Sequence, residues 1–205
     1  MSRFGDDPKK FFDSTYLNAA PWDIGRPQPA MVELLGEFPP ESPVLDVGCG
    51  SGDLAIHLAQ RGLDVVGIDF VAEAIRQAQT KAEALARPRA SSIEFRVADA
   101  MRPSLLGRRF GAVVDSGFFH VLTPKQCDDY VAELARTLRP GGRYYLHEFA
   151  IEFDLPHTPR RITEEELRQR FTRAAGWHIL QVRTGEFLSR VAPVPAILAC
   201  VERLG

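Results

Sequence analysis

The chain has 205 residues, of which 45% are apolar, and this is enough to build one folded domain with a full core. Its 25 basic and 27 acidic side chains leave a net charge of −2, which disfavours nucleic acid and anionic membranes as partners. No apolar run approaches the roughly 20 residues that span a bilayer, and the charged start lacks the apolar stretch of a signal peptide. Three scattered cysteines without metal-site spacing favour a reducing compartment. We therefore expect a cytoplasmic protein with no metal site.

The first 40 residues differ in pattern from the rest of the chain. Residues 9–17 form a short amphipathic stretch that carries aromatic side chains, Tyr16 among them, and the proline-rich stretch 21–29 precedes a helix near 30–35. Such an aromatic, partly irregular segment is a candidate lid over a binding site, and a packed extension without a binding role is the alternative. We predict a single domain over 1–205, with a lid or cap segment in 1–40 and a ligand-binding core in 41–205.

From residue 41 onward, apolar runs alternate with segments of helical period, which is the pattern of a parallel sheet flanked by helices. Helices are predicted over 52–60, from residue 71 to a stop at Pro88, and from the N-cap Thr123 onward, and a capping box of Thr163 with Glu166 begins another. Strands are predicted at 44–47, 64–69, 93–97, 111–116 and 143–148, followed by 177–183 and 195–201. The short connection between the last two predicts an antiparallel hairpin.

The strongest chemical signal is the stretch VLDVGCGSG, in which Asp46 precedes Gly48, Gly50 and Gly52. In a doubly wound sheet, ligands bind in the crevice at the carboxyl ends of the strands, and glycines let the main chain approach them closely. A carboxylate so near the turn would repel a pyrophosphate and attract an ammonium group, such as the one on the methionine half of S-adenosylmethionine. The alternative is a tight turn with a structural role only.

Acidic residues also follow the next two strands. Asp69 ends the second strand, where a carboxylate can accept hydrogen bonds from both hydroxyls of a ribose, although an acid there can also cap the next helix. Asp99 follows the third strand and can accept from the amino group of adenine, while the backbone N–H of Ala100 can reach a ring nitrogen. Phe70 and Met101 are apolar neighbours that could sandwich the purine.

These elements, followed by LRPGGR before the fifth strand, resemble the class I methyltransferases over residues 44–148. The resemblance implies an α/β, Rossmann-like, doubly wound sheet of seven strands with an antiparallel C-terminal hairpin, and S-adenosyl-L-methionine as cofactor. It assigns the methionine end to Asp46 and to residues 48–52, including Cys49. It assigns the ribose to Asp69 and the adenine to Asp99 and Ala100. Ser116, at the end of the fourth strand, is a further candidate for the cofactor site.

The stretch PWDIGRPQP, together with GCGSGDLA, resembles a narrower group. This group contains plant thiol and halide methyltransferases, thiopurine methyltransferases and related bacterial enzymes that act on small molecules. In these enzymes the N-terminal tryptophan segment covers the cofactor. Trp22 is the matching residue here, and its indole could face the sulfonium as a cation–π partner.

The methyl acceptor is harder to predict, because methyl transfer mainly requires alignment of the reacting atoms and exclusion of water. The stretch DSGFFHVL after the fourth strand lacks the Asn/Asp-Pro-Pro-aromatic tetrapeptide of amino-directed nucleic-acid and protein methyltransferases, which argues against macromolecular substrates. His120 is the first candidate for a base or substrate-orienting group, since it titrates near neutrality, and a histidine bonded to backbone at a helix start is the alternative. Tyr16, Phe118 and Phe119 are candidates to line an aromatic pocket, and His147 and Glu148, at the end of the fifth strand, could face the site. Arg26 could meet the cofactor carboxylate or an anionic substrate, and a plain surface residue is the alternative.

The sequence thus predicts an S-adenosylmethionine-dependent methyltransferase that modifies a sulfur, oxygen or nitrogen atom of a small aromatic or thiol-like molecule, with His120 and Tyr16 as catalytic candidates. Two alternatives stay open at this point. An NAD-dependent oxidoreductase shares the fold class, but Asp46 and the missing third glycine of GxGxxG argue against it. A non-catalytic module that binds S-adenosylmethionine is the second alternative. The oligomeric state is not predicted.

Overall fold

The computed structural model describes residues 4, 7–18, 20–84, 93–155 and 157–205. Its helices are α1 Pro8–Tyr16, α2 Pro29–Glu37, α3 Asp53–Gln60, α4 Ala72–Glu83, α5 Pro124–Thr137 and α6 Glu164–Arg170. Its strands are β1 Val44–Val47, β2 Val65–Asp69, β3 Ile93–Val97, β4 Phe110–Ser116, β5 Leu138–Phe149, β6 Trp177–Phe187 and β7 Val194–Arg203. Short 3₁₀ turns occur at Pro103–Leu106, Phe119–Val121 and Arg173–Ala175.

The seven strands form one sheet in the order β3-β2-β1-β4-β5-β7-β6. The first five strands run parallel, and β7 is antiparallel to both β5 and β6. The predicted seven-stranded, doubly wound sheet with an antiparallel C-terminal hairpin is therefore confirmed. Chain order reverses between β1 and β4, and such a switch point opens a crevice at the carboxyl ends of the strands.

Helices cover both faces of the sheet. The buried residues of α2, α3 and α4 pack with Ala112 and Val114 of β4, whereas Val113 points to the opposite face and packs with α5 and α6. This alternation is the two-residue period of a strand buried on both sides. Because α2 contributes Met31 and Leu34 to this core, it belongs to the body of the domain. In the described parts of the chain, no helix combines the length and the apolar character required to cross a bilayer.

Some helix and strand ends differ from the sequence prediction. Thr123 and Gln126 cap α5 reciprocally as a capping box, but α6 has only half of the predicted box. Thr163 accepts from the backbone N–H of Glu166, whereas the Glu166 carboxylate forms ion pairs with two arginines, Arg160 and Arg170. The glycine-rich stretch before residue 143 lies inside β5 as an irregularity of its pairing with β4. The predicted stop at Pro88 lies outside the described residues.

Candidate functional site

A cavity of about 800 Å³ opens at the carboxyl ends of the parallel strands. Residues from the N-terminal segment and from the connection between β6 and β7 line it as well. Four of the residues predicted from the sequence do not line this cavity: Gly52, Phe119, His147 and Glu148. The others do: His120, Tyr16, Trp22, Asp46, Gly48, Cys49, Gly50, Asp69, Phe70, Asp99, Ala100, Met101, Ser116, Phe118 and Arg26. The fold therefore brings together side chains that were predicted from five separate stretches of sequence.

The turn after β1 brings the main chain into contact with α1. Gly48 and Gly50 have positive φ angles of 62° and 53°, a backbone region that favours glycine. A Cβ added to Gly50 would lie 2.6 Å from Tyr16 Oη, and one added to Gly48 would lie 3.3 Å from Cβ of Phe118. A side chain at Gly48 or Gly50 would crowd Phe118 or Tyr16 in the cavity wall, so this turn needs glycine at both positions.

Gly52 has a different role from the one predicted. It does not line the cavity; it forms the N-cap of α3 with a φ of 85°. A Cβ at this position would lie 2.7 Å from Phe95 and 2.8 Å from Ala78, two core side chains. Gly52 therefore lets the turn pack closely against α4 and β3. It has a packing role and does not line the cavity as predicted.

Asp46 provides an unpaired carboxylate oxygen in the cavity wall. The residue is 2% exposed, and its Oδ2 has no hydrogen-bond partner within the described residues. The backbone N–H of Ala55 stabilises the carboxylate, but burial and the nearby Asp115 raise its pKa well above the usual range. A buried acceptor without a partner is costly unless a ligand supplies one. The group thus fits a cationic ammonium, as the sequence predicts for the methionine end of the cofactor.

Asp69 links the end of β2 to the glycine turn. Its Oδ2 accepts from the Gly50 N–H at 3.1 Å, and its Oδ1 accepts from the Val71 N–H at 2.9 Å. Burial raises the pKa of Asp69 to about 6, although these backbone donors oppose the shift. Each carboxylate oxygen has a further lone pair that can accept from a ligand hydroxyl. Asp69 therefore has a structural role in this turn, and its contact with the ribose hydroxyls stays a prediction.

The residues predicted for adenine surround the start of the loop after β3. Asp99 Oδ1 accepts from the Met101 N–H at 2.8 Å, which folds this loop into a tight turn, and Ala100 is buried beneath it. Phe70 lies at the end of β2 and packs edge-on against Phe12 of α1, with ring centroids 5.7 Å apart. The proposed sandwich between Phe70 and Met101 stays a prediction.

Trp22 and Tyr16 form a pair over the glycine turn. The indole Nε1 of Trp22 donates to Tyr16 Oη at 3.2 Å, and the rings meet edge to face with centroids 6.0 Å apart. Tyr16 is buried, and this burial, together with the charge of Asp69, raises the pKa of its hydroxyl. The phenol is therefore neutral, and it donates or accepts a hydrogen bond in the cavity without acting as an anion.

Polar contacts hold the N-terminal segment in this position from two sides. The Ser51 hydroxyl of the glycine turn donates to Asp23 Oδ2 at 2.6 Å. The Gln28 side chain bonds both backbone groups of Leu188, each at 2.8 Å, and the backbone of Arg190 donates to Pro21 O. The predicted segment 1–40 therefore divides, because residues before α2 line the cavity whereas α2 lies in the core. Its movement as a lid stays a prediction.

His120 lies in the cavity wall beyond β4 and is 4% exposed. Its Nδ1 is 2.9 Å from Glu148 Oε2 and also 3.2 Å from the backbone N of Phe149. Burial lowers the pKa of His120 to about 3, so the imidazole is neutral near pH 7. The expectation that His120 titrates near neutrality is therefore wrong. The ring is held by the Phe149 backbone, and its role as a base stays a prediction.

Two buried carboxyl groups stand behind His120, and the sequence indicated only one of them. Glu148 of β5 and Asp115 of β4 are both 0% exposed and are hydrogen-bonded to each other. Asp115 was not predicted, because the stretch that contains it fits an ordinary buried strand. His147, predicted as a possible site residue, points elsewhere: it stacks on Phe187, and its Nε2 is 3.2 Å from Glu186 O.

The end of the cavity near His120 is aromatic, but its residues differ from those predicted. Phe118 lines the cavity, whereas Phe119 is fully buried in the core beside Tyr130. The wall here is supplied by the strand ends and by the loop after β5, from residues that the sequence analysis did not select: Phe149, Ile151, Phe153, His157 and Phe187. Arg26 lines the cavity at its N-terminal side. The loop carries no periodic pattern, so nothing in the sequence marked its aromatic residues as part of a site.

Comparison with known proteins agrees with this geometry. A family model described as a methyltransferase domain matches residues 44–142, from β1 into β5. The chain is 32% identical to the 2-heptyl-1-hydroxyquinolin-4(1H)-one methyltransferase of Mycobacteroides abscessus over 171 residues, which cover 77% of this chain and 73% of that protein. It is 37% identical to the demethylmenaquinone methyltransferase of Deinococcus radiodurans over 132 residues, which is 62% of this chain but only 50% of that protein.

A solved structure covers nearly the whole chain. It comes from work on the conversion of a disulfide bond into a thioacetal group during echinomycin biosynthesis. It superposes with a TM-score of 0.80 at 30% identity, over 96% of this chain and 93% of that one. These matches select methyl transfer over an NAD-dependent oxidoreductase and over a non-catalytic binding module. With its sheet topology, its glycine turn and these relatives, the chain belongs to the class I S-adenosylmethionine-dependent methyltransferases.

Proposed function

We propose that this enzyme methylates a sulfur, oxygen or nitrogen atom of a small aromatic or thiol-like molecule. The observation that carries this proposal is the single cavity that joins the glycine turn to the aromatic wall around His120. Its volume of about 800 Å³ falls in the range of about 300–1,000 Å³ that is typical of small-molecule sites. The net charge of −2 and the buried carboxyl groups argue against a nucleic acid as the substrate.

The cofactor end of the proposed site uses the residues around the glycine turn. Asp46 would receive the ammonium group beside the bare main chain of Gly48, Cys49 and Gly50. Asp69 would accept from the ribose hydroxyls. The adenine would lie against Asp99 and its neighbours Ala100, Met101 and Phe70, with Ser116 and Trp22 closing the remaining sides of the cofactor. When bound, the cofactor supplies the electrophilic methyl group on its sulfonium.

The acceptor end fits an apolar, aromatic compound. Phe149 and Phe187 meet edge to face with centroids 5.1 Å apart, and the Phe149 ring centroid is 4.5 Å from that of His120. Flat apolar rings bury large area against such walls. The relative from Mycobacteroides abscessus is named for a hydroxyquinolinone, which is an aromatic compound with a hydroxyl group. This likeness supports an aromatic acceptor for the present chain.

His120 is the proposed base or orienting group for the acceptor. A thiolate needs no base, but a neutral hydroxyl or thiol loses its proton as the methyl group is transferred. A neutral imidazole in the cavity wall can accept that proton. Tyr16, with its neutral hydroxyl beside the glycine turn, is proposed to position the reactants. The protein thus contributes alignment of nucleophile, methyl carbon and sulfur, and removal of one proton.

The proposal is tested with purified enzyme, S-adenosylmethionine and a panel of thiophenols, phenols, N-heterocycles and 2-heptyl-1-hydroxyquinolin-4(1H)-one. Formation of S-adenosylhomocysteine and of methylated product is followed by mass spectrometry. We expect turnover with at least one aromatic heteroatom acceptor, and His120→Ala to lower kcat while cofactor affinity, measured by calorimetry, stays near the wild-type value. His178→Ala, on β6 and away from the cavity wall, is the matched control.

Two results would contradict the proposal. Transfer only to carbon acceptors or to macromolecules would refute the acceptor class, and wild-type kcat in His120→Ala would assign His120 to structure alone.

The cytoplasmic location also belongs to this proposal. It is supported by three cysteines that form no disulfide, Cys49, Cys127 and Cys200.

A further inference from the structure

Asp115, Glu148 and His120 form a buried cluster of ionisable groups. Alignment of the reactants for methyl transfer does not by itself require such a cluster. Three ionisable groups from β4, from β5 and from the 3₁₀ turn between β4 and α5 meet with almost no exposure to solvent. Burying such groups is unfavourable unless each is hydrogen-bonded, and two carboxylates in contact cannot both be ionised at low cost. The cluster therefore retains a proton, and its position among the three groups matters for the imidazole.

The neighbours of the His120 ring fit two different tautomers. The Phe149 N–H, 3.2 Å away, donates to Nδ1 only when that nitrogen carries no hydrogen. The backbone of Gly117 also contacts the ring, and a Cβ at Gly117 would lie 3.6 Å from both Cε1 and Nε2. The Phe149 contact favours a hydrogen on Nε2, which leaves the ring without a lone pair for the acceptor on that side.

Glu148 favours the other tautomer when it is ionised. Its Oε2 is 2.9 Å from Nδ1, so an ionised carboxylate accepts a hydrogen from Nδ1 and leaves the Nε2 lone pair free. When Glu148 is protonated, the same oxygen donates to Nδ1 and the hydrogen moves to Nε2. The Phe149 contact therefore fits the Nε2–H tautomer of His120, whereas the contact with an ionised Glu148 fits the Nδ1–H tautomer.

The backbone is arranged to hold Glu148 in place in either state. Its Oε1 accepts from the Phe119 N–H at 3.3 Å, and its Oε2 accepts from the His120 N–H at 3.1 Å. Asp115 is fixed as well: its Oδ1 accepts from the Phe118 N–H at 2.8 Å, and its Oδ2 accepts from the Tyr144 hydroxyl at 2.7 Å. The carboxyl pair is thus rigid, and the shared proton is its main degree of freedom.

We propose that Glu148 is a positioning residue that selects the tautomer of His120, and that Asp115 holds the shared proton when His120 is ready to act as a base. This inference rests on the proposed function of His120. The acceptor heteroatom bonds to the methyl carbon as that carbon's bond to the cofactor sulfur breaks, and the acceptor proton moves to Nε2. The imidazolium so formed is balanced by the Glu148 carboxylate, and the proton later leaves to solvent.

Other ionisable groups face the cluster and belong to its titration. Burial raises the pKa of Glu148 to about 7, and that of Asp115 well above the usual range. The groups that interact electrostatically with the three are Asp46 of β1, Tyr144 and His147 of β5, Tyr130 of α5, and Arg160 of the loop before α6. Arg160 opposes protonation of His120, whereas Asp115 favours it. The proton on Glu148 therefore titrates near neutrality, where the enzyme would work, while Asp115 keeps its own proton.

The test reads the tautomer of His120 directly. Long-range proton–nitrogen NMR correlations on ¹⁵N-labelled protein identify the ring nitrogen that carries hydrogen, with or without an acceptor. Between about pH 5 and pH 9 we expect the wild-type ring to pass from the Nε2–H to the Nδ1–H tautomer, with a midpoint near the Glu148 pKa of about 7. The His120→Ala spectrum assigns the signal.

Two variants sharpen the test. In Glu148→Gln the amide donates to Nδ1 at every pH, so we expect a ring fixed as Nε2–H and a kcat lower by roughly 10²-fold or more, with cofactor affinity unchanged. In Asp115→Asn the amide donates to Glu148 as the protonated acid does, so we expect the midpoint to stay near the wild-type value. Glu186→Gln, an exposed glutamate of β6, makes the same chemical change and should leave tautomer, kcat and pH profile at wild-type values.

Each outcome bears on one claim. A wild-type ring that stays Nε2–H over the whole pH range overturns the inference, and so does a Glu148→Gln protein with the wild-type tautomer profile. If Glu148→Gln does not fold, the wild-type titration and the Asp115→Asn midpoint decide, and a large shift of that midpoint would contradict a protonated Asp115. A tautomer change without any effect of His120→Ala on turnover would leave the cluster as inferred and refute the proposed role of His120 as base.

Discussion

Gly52 and Gly62 provide a matched pair for separating backbone strain from packing. Their φ angles are nearly the same, 85° and 88°, so an alanine at either position adopts the left-handed conformation at a cost of about 1–2 kcal/mol. At Gly62 an added Cβ meets nothing within 4 Å. At Gly52 it would lie 2.7 Å from Phe95 and 2.8 Å from Ala78, both held in the core. Gly52→Ala therefore adds overpacking to the strain.

The size of this difference follows from the two contacts. Overpacking a close-packed core typically costs about 1–3 kcal/mol, so we expect Gly52→Ala to lose that much more unfolding free energy than Gly62→Ala. The loss of unfolded-state entropy with alanine is the same at both sites and cancels. For a domain of this size the difference corresponds to a further decrease in Tm of roughly 2–12 °C.

Urea unfolding, followed by tryptophan fluorescence and by far-UV circular dichroism, measures both variants against the wild type. Equal m-values would show that the same surface is exposed in all three proteins. The reasoning is refuted if the two variants lose equal stability, because the close contacts at Gly52 would then carry no cost. A larger loss in Gly62→Ala would also refute it.

Two further predictions concern Asp69. Asp69→Asn replaces the carboxylate that accepts from Gly50 and Val71, so we expect S-adenosylmethionine affinity, measured by calorimetry, to decrease roughly 10- to 100-fold, as for lost hydrogen bonds to a charged group. Because its pKa in the folded protein is raised from 3.8 to about 6, the Asp69 carboxyl favours folding at low pH, and this contribution is lost as pH rises through 6. We therefore expect the unfolding free energy of Asp69→Asn, relative to wild type, to rise by about 2 kcal/mol between pH 4 and pH 7.

The pH prediction uses the difference in unfolding free energy between Asp69→Asn and wild type, because other groups titrate in the same pH range. Burial lowers the pKa of His120 and His147 to about 3, and these histidines make the folded state more stable as pH rises from 3 to 6.5. Their contribution is common to wild type and variant. A difference that does not change with pH would contradict the raised pKa of Asp69. Unchanged cofactor affinity in Asp69→Asn would contradict its assignment to the ribose.

The fold could be predicted because its signals are local. Each buried strand is a short apolar run, each helix shows its period, and caps such as Thr123 are read from adjacent residues. The cofactor end of the cavity follows the same logic, because its residues stand directly after strands whose ends must meet. Asp46 and Asp69 could therefore be placed at one edge of the sheet without knowledge of side-chain contacts.

The residues that line the acceptor end are set by the register of the strands and by an irregular loop. Neither can be predicted from adjacent residues. Phe118 and Phe119 are neighbours in sequence, yet one lines the cavity and the other is buried beside Tyr130. The meeting of Asp115 with Glu148 depends on how β4 pairs with β5, including the irregularity before Arg143. No spacing in the sequence indicates that a pair 33 residues apart shares a proton.

The position of β7 constrains the order in which the sheet can be assembled. This strand is the last of the seven in the chain, yet it lies between β5 and β6 and pairs with both. Until it arrives, the outer backbone groups of β5 have no partner, and such an open edge can pair with another chain. The sheet is therefore closed at this edge only when the last strand of the seven has paired, and until then the open edge of β5 is a site for association between chains.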